Sequence, residues 1–321
     1  MAMLRIVALA FLMASATNAA AQTYPSRPIT MIVPFPAGGA TTTLARILAE
    51  HMKTTLGQPI VVENVGGASG SIGTTRAARA APDGYTLSFG NWASHVGSGA
   101  MVPLQFDLLK DLAPVAFLAN SPLWVVAKKD LAPRDLKEFI AWLKANPGKA
   151  SAATVGVGSG SHMCGIYIQN ITGTKFQFVP YRGGAPAMQD LIGGQVDFMC
   201  DFAGNSLPIV RNGQIKPYAV MAKARWFAAP EVPTFEEMGV PGLIMSFWHG
   251  LWVPKGTPAD VVAKLNGAVR TAFANATVKQ RYVDMGQELP TPAQQTPEAL
   301  AAFHKAEIDK WWPIIKAANI R

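Results

Sequence analysis

The stretch ITMIVPFPAGGATTTLARILAEHM, residues 29–52, decides the fold. Ile29 to Val33 is a short apolar run of the kind found in a buried strand. Pro34, Pro36, Gly38 and Gly39 break it, and from about Thr41 to Met52 the residues Leu44, Ile47 and Leu48 recur at helical spacing on one face. Strand, glycine loop, helix is the first half of a β-α-β unit. The pattern repeats outward. Ile60 to Glu63 is a second strand, Gly66-Gly67-Ala68-Ser69-Gly70 opens a helix through Ala80, and the turn Pro82-Asp83-Gly84 leads into a strand from Tyr85 to Phe89.

Past Pro114 the alternation starts again. A strand is expected at Leu123 to Ala127, a helix near Leu136 to Ala145, a strand at Ala152 to Val155, and then the loop Gly156-Val157-Gly158-Ser159-Gly160-Ser161-His162 before a helix to about Ile171. Phe176 to Val179, the loop Tyr181-Arg182-Gly183-Gly184, a helix to Ile192, and strands at Gln195 to Cys200 and Ile215 to Met221 complete a second α/β set. Leu243 to Val253 is strand-like. Thr257 and Pro258 suit the start of a helix as cap and first residue, and a long helix is expected from Pro297 to about Ala318. Pattern alone leaves open whether these C-terminal elements form a third unit or complete the first lobe.

The N-terminus carries Arg5, an apolar run from Ile6 to Met13 and the small residues Ala19, Ala20 and Ala21, which reads as a secretory signal peptide over residues 1–21. The run is shorter than the ~20 residues a membrane span needs. Removing it leaves 300 of the 321 residues, more than the ~100–200 of one compact domain, so two lobes are expected. The net charge is +8, but Lys and Arg are scattered with no basic stripe, which argues against nucleic acid and fits attraction of small anions. His51, His95, His162, His249 and His304 lack metal-ligand spacing, and no metal or cofactor is expected. Cys164 and Cys200 are read as buried small side chains, a bridge between them being the less favoured alternative.

Open α/β sheets bind ligands at the carboxyl ends of their strands, and the glycine loops all lie there. The first loop ends at a helix start, whose free N–H groups and partial positive charge suit an anion. Gly158-Ser159-Gly160-Ser161-His162 offers the same with hydroxyls added. Ser161 beside His162 does not make a nucleophile–base pair, because adjacent residues in a first helical turn point apart and the hydrolase elbow spacing is absent. Arg182 stands before a helix start and suits a carboxylate clamp or a solvent-facing role equally. Asn91-Trp92 and Asp201-Phe202 complete the strand-end residues. For Trp92, core packing and ligand stacking stand even.

The chain resembles the periplasmic solute receptors of tripartite tricarboxylate transporters, the Bug family. The resemblance runs from about Tyr24 to the C-terminus. It is carried by Tyr24-Pro25-Ser26-Arg27-Pro28-Ile29, Val33-Pro34-Phe35-Pro36-Ala37-Gly38-Gly39, Ala81-Pro82-Asp83-Gly84-Tyr85-Thr86-Leu87, Asp111-Leu112-Ala113-Pro114-Val115, Gly158-Ser159-Gly160-Ser161-His162, Val179-Pro180-Tyr181-Arg182-Gly183-Gly184-Ala185-Pro186-Ala187, Gly194-Gln195-Val196-Asp197 and Pro254-Lys255-Gly256-Thr257-Pro258, in order and with similar spacing. It implies a type II periplasmic-binding-protein fold, with two lobes, each a mixed and mostly parallel sheet flanked by helices, closing over a ligand cleft. Lobe 1 then comprises residues 22–122 and 246–321 and lobe 2 residues 123–245.

In the family a ligand carboxylate is held, partly through water, by backbone N–H groups and hydroxyls from the first loop of each lobe. Carried over, these are Phe35, Ala37, Gly38 and Gly39 on one side and Ser159, Gly160 and Ser161 on the other. Three positions depart from the pattern. Thr42 replaces a frequent Asp, Asp201-Phe202 replaces Asp-Asn, and Trp92 replaces a small or polar residue. An amine-bearing ligand is disfavoured by the first change, and an apolar or aromatic body with at least one carboxylate is favoured over citrate-like acids by the others. The expected role is delivery to membrane permease subunits by a monomeric receptor without enzymatic activity. The alternative is a sensor acting on a two-component system, with an exported hydrolase third.

Overall fold

The computed structural model describes residues 23–317, so the signal-peptide reading of residues 1–21 falls on residues outside those described. The first unit runs β1 (Ile29–Val33), α1 (Ala40–Leu56), β2 (Ile60–Asn64), a single 3₁₀ turn and α2 (Ser71–Ala78), β3 (Thr86–Asn91), a π-helical turn over Ala93–Gly97, and the short α3 (Ser98–Met101). Then come β4 (Leu112–Lys128), α4 (Leu136–Ala145), β5 (Ser151–Thr154), α5 (Gly160–Thr172), β6 (Gln177–Pro180), α6 (Gly184–Ile192), β7 (Phe198–Phe202), α7 (Ala203–Arg211) and β8 (Ile215–Val220). β9 (Ser246–Pro254), α8 (Ala259–Ala274), α9 (Ala276–Asp284) and α10 (Pro297–Ala317) end the described chain.

The strands join in the order β2-β1-β3-β9-β4-β7-β5-β6, with β8 on β4. β2-β1-β3 and β6-β5-β7 are parallel, as β-α-β crossovers require, whereas β4, β8 and β9 run antiparallel to their neighbours. β1 is buried on both faces, with Ile29, Met31, Ile32 and Val33 at most 1% exposed, which is why it reads as a continuous apolar run.

β4 decides the two-lobed shape. Leu112 to Pro122 pairs with β9 in one lobe, and from Leu123 the same strand pairs with β7 and β8 in the other. The sequence reading began this strand at Leu123, eleven residues late. Pro114 reads as the point after which the pattern restarts, yet it sits within β4 at a register shift against β9, and Pro122 lies where β4 changes partners. Both places relieve the ladder of the N–H that proline lacks. β9 lies between β3 and β4, so the C-terminal elements complete the first lobe's sheet.

α1 lays Leu44, Ile47, Leu48 and Met52 on one core with Leu265, Val269 and Phe273 of α8. A second cluster joins Trp92, Trp248, Trp252 and Trp311 to Leu123, Met163 and Cys200, running beneath the cleft from one lobe to the other. Two expectations are corrected. Cys164 on α5 and Cys200 on β7 face this cluster with Cα atoms 6.2 Å apart and form a disulfide, inside the ~4.4–6.8 Å that a bridge spans. Thr257 does not cap α8: its hydroxyl donates to Pro254 O at 2.8 Å, and the cap position is Pro258.

Candidate ligand-binding cleft

β1 delivers its chain directly into the loop 34–39, and the loop is fixed from β2. Asn64 Nδ2 donates to Phe35 O at 2.9 Å and to Thr42 Oγ1 at 2.8 Å. Gly38 has φ +93°, a left-handed conformation open to glycine. α1 then starts behind Gly39 with no side-chain cap and no acidic residue in its first turn. Thr42 N and Thr43 N bond back to Gly39 O at 3.1 and 3.2 Å, which leaves the N–H groups ahead of them without intrahelical acceptors at the positive end of the helix dipole.

Lobe 2 repeats the device twice. Ser159 caps α5 by accepting from His162 N at 3.3 Å, and α6 follows Gly183, which offers no side-chain cap; neither helix has an acid in its first turn. Gly39, Thr41 and Thr42 of the first helix start, Ser159 and Gly160 of the second, and Gly183 and Gly184 of the third all line one cleft of about 570 Å³. No lining residue carries a charge. Phe35, Val155, Val157, Phe202 and Phe247 give it an apolar wall, with the rings of Phe202 and Phe247 4.2 Å apart.

Of the residues singled out from the sequence, Phe35, Ala37, Gly39, Thr42, Asn91, Ser159, Gly160 and Phe202 come together here. Gly38 shapes the same loop. Ser161 and His162 stand behind the surface. Ser161 Oγ accepts from Val155 N at 3.0 Å and is 3.0 Å from Ser159 Oγ, while His162 Nδ1 accepts from Gly158 N at 3.1 Å and its ring stands edge-on to Phe178. Burial holds the His162 ring below its ordinary pKa.

Three residues do not join them. Trp92 is fully buried, edge-on to Trp311 at 5.4 Å, because the π-helical turn after β3 swings it into the core. Arg182 is exposed and outside the cleft lining. Asp201 is buried and faces a separate cavity of about 380 Å³ lined by Met188, Ile192 and Asn205. There burial pushes its carboxyl up to about 6.

Sequence reasoning missed Thr41, Ser69, Phe247 and the pair Gly183-Gly184. Thr41 was within reach, since it is the residue after the first helical position. Phe247 gave no signal: it lies near the start of its strand, and strand-end logic looks at the other end. Thr41 Oγ1 receives Asn91 Nδ2 at 3.2 Å and lies 3.2 Å from Nε2 of His249. His249 is 3% exposed, and burial holds it down to about 3, so the ring is neutral.

The sequence profile of the tripartite tricarboxylate transporter family receptor matches residues 44–320. Among solved structures, MatC (Rpa3494) from Rhodopseudomonas palustris, with bound malate, is 40% identical at a TM-score of 0.81, covering 91% of this chain and 100% of its own. The periplasmic binding protein BugD is 38% identical at a TM-score of 0.80, over 93% of this chain and 99% of its own. Rpa4515 of R. palustris, with adipate, is 30% identical at 0.82, over 92% and 99%. The chain belongs to the tripartite tricarboxylate transporter receptor family, the family of the Bug proteins.

Proposed function

We propose that this chain is a periplasmic receptor that captures a small carboxylate in the cleft and delivers it to the membrane permease subunits of a tripartite tricarboxylate-type transporter. The observation that carries the ligand class is the convergence of three helix starts on a cleft without a charged side chain. Each favours an anion, and none of their first turns holds an acid to oppose it. Two relatives hold malate and adipate. Lobe 1 is assigned to residues 22–122 and 246–321 and lobe 2 to residues 123–245, supported by the change of partners along β4 at Pro122 and Leu123. The receptor acts as a monomer, exported by its N-terminal segment, and carries out no reaction. Ser161 and His162 support the last point, since each is bonded to the loop backbone and they are not bonded to each other.

The ligand has an apolar body. Trp92 no longer supports this, but Phe35, Phe202, Phe247 and Val157 do. A cleft of about 570 Å³ holds a dicarboxylate with a chain or ring between its ends. Thermal-shift measurements with benzoate, terephthalate, adipate, malate and citrate test the reading, because a ligand that binds only the folded state raises the melting temperature. Adipate and terephthalate are expected to give the largest shifts. Stabilisation by citrate or malate alone overturns the apolar-body assignment, and no stabilisation by any acid overturns the carboxylate.

A further inference from the structure

We infer that His249 is a positioning residue that turns the Thr41 hydroxyl into a hydrogen-bond donor aimed at the ligand, and so selects a carboxylate oxygen over an ammonium group. The inference rests on the carboxylate reading above and adds the residue that sets the polarity of one point on the cleft wall.

Asn91 on β3 and His249 on β9 are directly opposed in the antiparallel ladder, and both reach Thr41 Oγ1, at 3.2 Å each. The orientation of the Asn91 amide follows from its other bonds. Its Oδ1 accepts from Ala93 N at 3.1 Å and Ser94 N at 3.3 Å, so Nδ2 is the end facing Thr41, and it donates. One of the two lone pairs on Thr41 is thereby used. The second bond depends on the His249 tautomer. A neutral imidazole carries one proton, on Nε2 or on Nδ1. Nδ1 is buried and has no hydrogen-bond partner among the described residues, the ring being packed near Phe89 and Phe247. A buried N–H without an acceptor is the rarer and costlier orphan, so the proton belongs on Nε2, where Thr41 accepts it.

Thr41 then accepts twice, and its own proton has no direction left but the cleft, whose wall Thr41 forms at the first turn of α1. A donor there is matched by a carboxylate oxygen and opposed by an ammonium. With the proton on Nδ1 the polarity inverts, because Thr41 would donate to the ring and show a lone pair to the ligand. The buried ring thus chooses between two ligand chemistries without touching either.

The test has two arms on the full chain. Long-range ¹H–¹⁵N correlation of histidine-labelled native protein, assigned by the signals lost in His249→Gln, is expected to show a protonated Nε2 and a bare Nδ1. A protonated Nδ1 overturns the inference, and this arm stands even if other variants fail to fold. Calorimetry with malate, adipate and terephthalate forms the second arm. His249→Leu and Thr41→Val are each expected to weaken the acids that bind by roughly ten- to hundredfold, the range of one hydrogen bond to a charged acceptor. The double variant should be no weaker than Thr41→Val, and His249→Gln, which retains an N–H donor, should recover most of the loss. Independent, multiplying losses, or unchanged binding by His249→Leu, overturn the inference alone. Absence of binding of these three acids by the native chain, with no stabilisation by citrate or benzoate either, overturns the carboxylate reading and this inference with it.

Discussion

Replacing Cys164 and Cys200 together by Ala is expected to lower stability by about 4 kcal/mol. The bridge closes a loop of sequence separation 36. Loop-closure entropy for that length, about 2.1 + 1.5R ln 36 cal/mol/K, amounts to about 4 kcal/mol at 25 °C. With roughly 2.1 cal/mol/K of unfolding entropy per residue over about 300 residues, the melting temperature falls by roughly 6 °C. The true loss is somewhat larger, because both sulfurs are buried and Met221 Sδ packs 3.5 Å from Cys164 Sγ. Urea unfolding of the native and double-Ala chains measures the difference, and thiol titration of unreduced, denatured native chain should find no free thiol. Two free thiols refute the bridge. A stability difference below about 1 kcal/mol with the bridge intact refutes the entropy argument. The bridge also ties α5, whose first residues line the cleft, to the strand that ends in Phe202, so the same variant should bind adipate more weakly.

Acidification provides a second check. His249 is held at about 3, His304 at about 4 and His95 well below its ordinary value, all by burial. The unfolded chain takes up their protons near 6.5, so stability falls as pH drops from ~7 toward 4. Asp201, pushed up to about 6, opposes this over the lower part of the range. His304→Gln, which keeps a donor for His95 O, should narrow the pH 7-to-4 stability difference by about 3 kcal/mol in urea unfolding; an unchanged difference refutes the assignment. Gly38→Ala, at φ +93°, should lose about 1–2 kcal/mol and most acid binding, whereas Gly39→Ala, at φ −83° with open space at its Cβ, should leave stability nearly unchanged. Phe202→Ala should weaken adipate about tenfold and malate less, read by calorimetry, because the longer apolar chain reaches further along the wall shared with Phe247.

Elements with a strong local pattern were legible in the sequence. β1 and α1 announce themselves by a buried apolar run and a helical apolar stripe, and α4, with Asp135 accepting from Glu138 N at its start, matches its sequence bounds at Leu136 and Ala145. The glycine loops were legible for the same reason: a strand must end and a helix must begin there, and the chemistry of that junction is local. What failed was non-local. The segment Leu112 to Pro122 of β4 is not legible, because whether a strand tolerates Pro114 and Pro122 depends on which partner strand lies opposite. For Trp92 the sequence leaves core packing and ligand stacking even, and the turn at the end of β3 decides for the core, against Trp311 of α10 more than two hundred residues away in sequence. The pairing of Cys164 with Cys200 likewise needs α5 packed on β7 before it can be seen.

The polarity of the cleft belongs to this second class. Thr41, Asn91 and His249 are spread over more than two hundred residues, and the sequence reading placed His249 only among histidines without metal spacing. Their meeting point is set by the β3–β9 ladder: the family resemblance returns residues 246–321 to lobe 1, but the register that sets Asn91 opposite His249 comes only from the paired strands. A loop motif therefore specifies that an anion is welcome, because helix starts supply N–H groups whatever the side chains are. Which oxygen or nitrogen meets the wall at Thr41 is written in a cross-strand pair remote from that motif. Two receptors that share the glycine loop but differ opposite Asn91 should therefore share an affinity for carboxylates and differ in what the rest of the ligand must carry.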